Sequence, residues 1–147
     1  MTNSRSSRPD NDVVEVFLAL GSNLGDRRTN LEKAISLIEE RVGKVCHVSS
    51  FLETEPWGFQ SDNSFVNACI KVETSLSPRA LILQTQQIER DMGRKQKSTD
   101  GKYHDRIIDI DILLYGNISV DEPGLKIPHP LMEERDFVMI PLQEIRK

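Results

Sequence analysis

The pattern of apolar and polar residues along the chain predicts four β-strands. Residues 13–20 form a β-rich, apolar run that is typical of a buried strand. The second and third strands are expected at residues 44–54 and 65–74, separated by a loop that contains the only tryptophan, Trp57. The fourth strand is expected at residues 107–115, where charged and aliphatic residues alternate.

Two segments between these strands have the apolar spacing of helices. The first follows a turn-rich stretch, with Asp26 or a neighbour near its cap and Gly43 just beyond its end. Its apolar positions are Leu31, Ala34, Ile35, Ile38 and Val42. The second begins at Ser77 and Pro78, a cap followed by a first-turn proline, and stops before Gly93. Its apolar face comprises Leu81, Thr85, Ile88 and Met92.

The resulting order of elements, β-α-β-β-α-β, predicts an α+β fold of the ferredoxin-like sandwich type. In this fold the helices lie on one face of an antiparallel sheet. Residues 128–145 are punctuated by prolines and predict a C-terminal appendage of short helical pieces. Residues 1–12 are polar and lack periodicity, which predicts a disordered tail before a single domain at residues 13–147.

Composition excludes several classes of protein. The chain has 147 residues, a size typical of one domain. No run approaches the roughly 18 apolar residues of a membrane span, and the N-terminus does not resemble a signal peptide. The two cysteines, Cys46 and Cys69, are expected in the core and fit a reducing cytoplasm better than a disulfide framework.

The net charge of −4 gives the whole chain no field that would attract nucleic acid. The charge is uneven, however. Residues 94–106 contain five basic and two acidic residues, a net +3, which leaves 14 basic and 21 acidic residues elsewhere, a net −7. Such a stretch is either a solvated loop or a local site for anions.

The fourth strand carries two aspartates where strands disfavour them. Asp109 and Asp111 share one face about 6 to 7 Å apart, with Ile107 and Leu113 also on that face. Two neighbouring carboxylates repel each other and need a compensating cation. The alternatives are an exposed outer face or salt bridges to nearby basic residues. Ligands that are all oxygen point to Mg²⁺. The isoleucines Ile108, Ile110 and Ile112 face the other way.

The basic segment directly before this strand makes phosphoryl transfer the favoured chemistry. Metal ions neutralise phosphate oxygens, and guanidinium groups such as those of Arg94 and Arg106 bind them bidentately. The sequence contains neither a P-loop nor a GxGxxG motif. No protein nucleophile is evident, so a hydroxyl of the substrate would attack directly.

Five further residues have both a structural and a functional interpretation. Trp57 is a packing anchor or a platform for a planar ligand, and Asn67 bonds backbone or reads the edge of a heterocycle. His129, between two prolines, is structural or, with Arg135 nearby, a second anion contact. Gln86 and Glu89 lie off the apolar face of the second helix, with solvent or a ligand as their partner. These alternatives stay open on the residues alone.

Six segments, in this order, make the chain resemble the 6-hydroxymethyl-7,8-dihydropterin pyrophosphokinases of folate biosynthesis. They are LALGSNLGDR (18–27), TEPWG (54–58), FVNACIKVET (65–74), IERDMGR (88–94), DRIIDIDILLYG (105–116) and IPHPLMEERDFVMIPLQEI (127–145). The resemblance covers nearly the whole chain after the tail. It implies transfer of pyrophosphate from ATP to the pterin hydroxymethyl group, which releases AMP, within a ferredoxin-like fold.

The resemblance also assigns residues to roles. Asp109 and Asp111 would bind two Mg²⁺ ions, and Arg94 and Arg106 would be catalytic loop arginines that engage phosphates. The positions implied for ATP binding are Gln86, Glu89, His129 and Arg135. The positions implied for the pterin are Thr54, Glu55, Trp57, Phe65, Asn67 and Phe137, with an aromatic pair around the ring. A cytoplasmic monomer is favoured, with ATP and the pterin as its partners and neither nucleic acid nor membrane.

Two other functions compete with this interpretation. Ferredoxin-like sandwiches also serve as non-catalytic ligand-binding modules, but such a module has no need of two aspartates beside a basic loop. A metal-dependent nuclease or nucleotidyl transferase would use the same pair of carboxylates. The acidity of the chain argues against a polymeric nucleic-acid substrate.

Overall fold

A computed structural model describes residues 13–54, 64–93 and 107–146. The expected tail at residues 1–12 lies outside these ranges. The elements are β1 (Val14–Ser22), α1 (Arg27–Arg41), β2 (Gly43–Val48), β3 (Leu52–Thr54), β4 (Phe65–Thr74), α2 (Pro78–Asp91), β5 (Asp109–Tyr115), β6 (Val120–Glu122), β7 (Leu125–Ile127) and α3 (Asp136–Ile145). A single 3₁₀ turn, Met132–Glu134, precedes α3.

The four long strands form an antiparallel sheet in the order β2–β4–β1–β5, which confirms the predicted ferredoxin-like topology. The prediction of one strand at residues 44–54 was wrong in detail. The chain leaves the sheet after Val48 and returns as β3, so that both β2 and β3 pair with β4. The small β6–β7 hairpin was not predicted, because three-residue strands carry too little pattern to identify.

The ends of both long helices follow the predicted signals. The Asp26 carboxylate caps α1 by accepting the backbone N–H of Thr29 at 3.1 Å. The Ser77 hydroxyl caps α2 by accepting the N–H of Ala80 at 3.1 Å, with Pro78 in the first turn. Helix α2 ends at Asp91, and Gly93 follows with a φ of 114° that favours glycine.

Alternate residues of the central strands fill two separate cores. One face of the sheet packs against α1 and α2 through residues such as Leu18, Ile70 and Ile110. The opposite face packs against α3 through a second cluster of buried residues. Its members are Phe17, Ala19, Cys69, Leu113, Met132, Val138, Leu142 and Ile145. The expectation of helices on only one face was therefore incomplete, since the continuous apolar run of β1 needs cover on both faces.

Two smaller expectations are corrected by the same packing. Leu113 shares the face of the aspartates, but Ile107 precedes the strand and packs with the first core. Cys69 is fully buried and its burial raises the pKa of the thiol to about 12, so it is an inert core residue. The expectation of a core position is thus confirmed for Cys69 but was wrong for Cys46, which is only partly buried, at the bulge between Val45 and His47.

No helix within the described ranges has the length and apolar character needed to cross a membrane.

Gly43 is predicted to be required for the pairing of β2 with β4. A Cβ atom at this position would clash with the backbone oxygen of Glu73, so Gly43→Ala must displace one strand. We expect a loss of more than about 2 kcal/mol in the free energy of unfolding, measured by urea denaturation. Gly124→Ala is the control, because that glycine has a φ of 76° but open space around it. Equal losses in the two variants would contradict this reading of the packing.

Candidate active site

The second face of the sheet changes from apolar to polar toward the end of β1. Strand register aligns Asn67 of β4, Gly21 of β1 and Asp109 of β5 in one row, and the next row pairs Ala19 with Asp111. Alternation puts all of them on the face that α3 covers elsewhere. Neighbouring strands are about 4.8 Å apart, so the amide of Asn67 and the carboxylate of Asp109 stand on strands about 10 Å apart.

Glycine at position 21 leaves the middle of this row without a side chain. A Cβ atom there would lie 2.9 Å from Oδ1 of Asn67 and 3.4 Å from Cδ1 of Phe65. The side chains of Asn67 and Phe65 therefore lie against the bare backbone of Gly21. Any larger residue would displace them.

The predicted carboxylate pair is present, and both aspartates are half-buried. Ile110, between them, points into the first core and is 4% exposed. Its backbone N–H donates to Oε2 of Glu89 at 2.7 Å. The carboxylate of Glu89 comes from α2 and is 7% exposed, so a buried acid holds the strand between the two aspartates. The sequence left solvent or a ligand as the partner of Glu89 and missed this backbone contact.

His129 lies close to the aspartates because the chain after β7 runs beside β5. Its backbone N–H donates to the carbonyl of Leu113 at 3.1 Å. Its ring Nδ1 accepts the N–H of Leu131 at 3.2 Å, which leaves Nε2 as the protonated nitrogen of the neutral ring. Burial lowers the pKa of His129, and the positive charge of Arg135 lowers it further, whereas Asp109 opposes the shift. The imidazole is therefore neutral at neutral pH.

Arg135 is the second basic residue of this region and is 7% exposed. It stands directly before α3, and its guanidinium lies 5.7 Å from the centre of the Phe137 ring, which gives a cation–π contact. The structure thus brings Asp109, His129 and Arg135 together, although 26 residues separate Asp109 from Arg135 in the sequence.

A pocket of about 340 Å³ opens beside Asp111 and His129. The α2 helix, β5 and the β6–β7 hairpin form its walls. Its lining residues are Ile82, Ile110, Asp111, Ile112, Gly124, Leu125, Lys126, His129 and Pro130. Ile82 and Lys126 were not predicted. The signal for Lys126 was present, because it alternates with the buried Leu125 and Ile127 on β7.

The remaining predicted residues divide into two groups. Thr54 ends β3 and pairs with Phe65 at the start of β4, and Gln86 is half-buried on α2 one turn before Glu89. Phe137 packs against the second core. The other four lie outside the described residues, so their predicted roles stay predictions. They are Glu55, Trp57, Arg94 and Arg106.

The carboxylate pair is not a complete metal site by itself. In the part of the chain that the structure describes, no three His, Cys, Asp or Glu side chains converge as a group that could hold an ion. Mg²⁺ commonly binds through one or two carboxylates, several waters and substrate phosphates. The two carboxylates therefore suit a cation whose remaining ligands are waters and the oxygens of a bound polyphosphate.

Comparison with known proteins identifies the family. The sequence profile of 7,8-dihydro-6-hydroxymethylpterin-pyrophosphokinase (HPPK) matches residues 17–147. A 2-amino-4-hydroxy-6-hydroxymethyldihydropteridine pyrophosphokinase of Porphyromonas gingivalis is 50% identical over 131 residues, which cover 88% of this chain and 89% of that protein. A protein of the same name from Aquifex aeolicus is 42% identical, covering 90% of this chain and 81% of its own.

Solved structures agree on the fold. A Plasmodium falciparum HPPK-DHPS crystal structure matches 90% of this chain with a TM-score of 0.73 and 16% identity. An HPPK-DHPS structure in complex with substrates matches with a TM-score of 0.72 and 17% identity. This chain covers 40% of each of those longer chains, so the likeness concerns one part of them.

The charges around His129 predict opposite shifts of its pKa in two variants. Arg135→Met removes a positive charge and should raise the pKa, whereas Asp109→Asn removes a negative charge and should lower it. The measurement is an NMR titration of the imidazole, in which the native ring should titrate below its ordinary pKa of about 6.5. Nitrogen chemical shifts should show the proton on Nε2. Shifts of the same sign in both variants would contradict this arrangement of charges.

Proposed function

The chain belongs to the 7,8-dihydro-6-hydroxymethylpterin-pyrophosphokinase family and transfers pyrophosphate from ATP to 6-hydroxymethyl-7,8-dihydropterin in folate biosynthesis, and we propose that the transfer depends on Mg²⁺ at Asp109 and Asp111. The observation that carries the proposal is the half-buried carboxylate pair, of which Asp111 lines the pocket together with His129. The products are AMP and the pterin diphosphate. This family membership does not favour the ligand-binding module or the nuclease.

The chemistry of the donors supports the metal. Two carboxylates on one strand face repel each other at close range, and a divalent cation removes that cost. Two Mg²⁺ ions at this pair would neutralise the oxygens of the ATP phosphates. The hydrogen bond from Ile110 to Glu89 holds the strand, so Asp109 and Asp111 are oriented before any ligand binds.

We assign the pocket of Ile82, Ile112 and Lys126 to the nucleotide. Aliphatic walls suit a purine base, and the basic residues suit phosphates. The neutral ring of His129 would donate from Nε2, and the guanidinium of Arg135 adds a buried positive charge. Gln86 and Glu89 stay predicted ATP contacts, with Glu89 also positioning the strand.

The pterin ring is assigned to the row that contains Gly21. Asn67 offers both a donor and an acceptor from one amide, as the edge of a pterin requires, and the bare backbone of Gly21 lets the side chains of Asn67 and Phe65 lie close against the sheet. Phe65 and Phe137 would form the aromatic pair around it. Thr54, Glu55 and Trp57 stay predicted contacts of the pterin.

In this arrangement positioning and charge neutralisation supply most of the catalysis. The hydroxymethyl oxygen of the pterin attacks the β-phosphorus, the bond from that phosphorus to the α-phosphate oxygen breaks, and AMP leaves. The described residues contain no evident general base for that hydroxyl, since the carboxylates are assigned to the metal. Holding the two substrates in line lowers the barrier. Arg94 and Arg106 are predicted to engage the phosphates.

The state of the protein in the cell stays a prediction from the sequence. The thiols of Cys46 and Cys69 are free, which is compatible with a reducing cytoplasm. A monomer is favoured by the sequence interpretation alone.

Product analysis tests the proposal. Protein incubated with Mg²⁺, ATP and hydroxymethyldihydropterin should release AMP, and EDTA should abolish the release. Asp111→Ala should reduce turnover by about 100-fold or more, because it removes a carboxylate that would hold Mg²⁺ beside the transferred phosphates. Asp121→Ala on the exposed β6 strand is the matched control and should keep full activity.

Either of two results would contradict the metal assignment. One is near-normal turnover by an Asp111→Ala protein whose circular dichroism matches that of the native chain. The other is undiminished AMP release in EDTA. Formation of ADP instead of AMP would contradict the pyrophosphokinase reaction itself.

A further inference from the structure

Three polar side chains form a closed cluster at the edge of the sheet, which we name the Arg27 cluster: Arg27, Glu53 and Ser64. Nη1 of Arg27 donates to Oε2 of Glu53 at 2.9 Å, to the carbonyl of Ser64 at 2.9 Å and to Oγ of Ser64 at 2.7 Å. The Ser64 hydroxyl in turn donates to Oε2 of Glu53 at 2.6 Å. Each member therefore contacts both of the others.

The cluster joins three distant parts of the chain. Arg27 is the first residue of α1, Glu53 is the middle residue of β3, and Ser64 directly precedes β4. The next residues after Glu53 and Ser64 are Thr54 and Phe65, which pair with each other across the two strands. The cluster thus fixes the point at which β4 begins.

A single ion pair at this exposure would contribute little. The side chains of Arg27 and Glu53 are 31% and 55% exposed, and an isolated exposed ion pair adds little to stability. Here one guanidinium nitrogen, Nη1, contacts a carboxylate, a hydroxyl and a backbone carbonyl together, so the ion pair is part of a network and not an isolated contact. The Ser64 hydroxyl and Arg27 both lower the pKa of Glu53, which keeps it charged.

The position of Phe65 in the candidate active site depends on where β4 begins. Its ring lies against Gly21, where Cδ1 is 3.4 Å from the place a Cβ would occupy, and Asn67 follows two residues later on the same face. Asp111 lies on β5, which is separated from β4 by β1, and the chain that carries His129 runs beside β5. A shift at the start of β4 therefore moves Phe65 and Asn67 and leaves the nucleotide pocket in place.

We propose that Arg27, Glu53 and Ser64 are positioning residues that set Phe65 against the pterin ring and so determine the affinity for the pterin but not for ATP. This inference rests on the proposed function, because it uses the assignment of the pterin to Phe65 and Asn67.

Steady-state kinetics with each substrate varied in turn tests the inference. Arg27→Met should raise the KM for the pterin by about five- to tenfold, while the KM for ATP and kcat change by less than about twofold. Arg27→Lys should recover part of the loss, since it restores the charge but not the shape of the guanidinium. Glu53→Gln keeps an acceptor for Ser64 and should show a smaller increase in the KM for the pterin.

Arg41→Met is the matched control. Arg41 lies at the other end of α1, where it pairs with Asp91 at 2.5 Å and is 30% exposed, close to the exposure of Arg27. It should lose similar stability in a thermal melt without any change in the KM for the pterin.

Two results would overturn the inference. AMP release by the native chain then distinguishes failure of the inference from failure of the proposed function. An unchanged KM for the pterin in both Arg27→Met and Glu53→Gln would overturn it, as would equal rises in the KM for both substrates. The native chain in the same assay must release AMP. If it does so while the variants behave as native, this inference alone fails, whereas absence of AMP from the native chain overturns the proposed function and this inference with it.

Discussion

One strand, β5, carries a hydrophobic core on one face and two carboxylates on the other, and the rest of the site depends on that division. Ile108, Ile110 and Ile112 are each at most 4% exposed, and burying each stabilises the fold by about 1.5–3 kcal/mol. A register slip of one residue would expose this set and drive the two aspartates into the apolar core. Folding itself therefore fixes where Asp109 and Asp111 point. The hydrogen bond from the backbone N–H of Ile110 to the Glu89 carboxylate satisfies a donor at the free edge of this outer strand.

The sequence predicted the parts of the fold that short-range rules govern. Side-chain caps at Asp26 and Ser77 and the alternation along β5 are local features, and the structure confirms them. The break between β2 and β3 was missed because every residue from Lys44 to Thr54 is compatible with an extended strand. The place of α3 on the second face was missed because it depends on Phe17 and Leu142, which are far apart along the chain.

The candidate site divides in the same way. The carboxylate pair was visible from period-two alternation, whereas the row of Asn67, Gly21 and Asp109 exists only through strand pairing. The backbone partner of Glu89 and the pocket wall at Lys126 also require tertiary contacts. The resemblance to a family indicated the roles of residues, but their geometry follows from which strands are neighbours.

The central claim is that Asp109 and Asp111 form a cation site completed by the phosphates of ATP. The most direct test is Mn²⁺ binding, followed by electron paramagnetic resonance, with and without a non-hydrolysable ATP analogue. The account predicts weak binding to the native chain alone and much tighter binding with the nucleotide. It also predicts a loss of at least about tenfold in the ternary complex when both aspartates are replaced by asparagine. Equal Mn²⁺ affinity of the native and doubly substituted proteins in the presence of the nucleotide would contradict it.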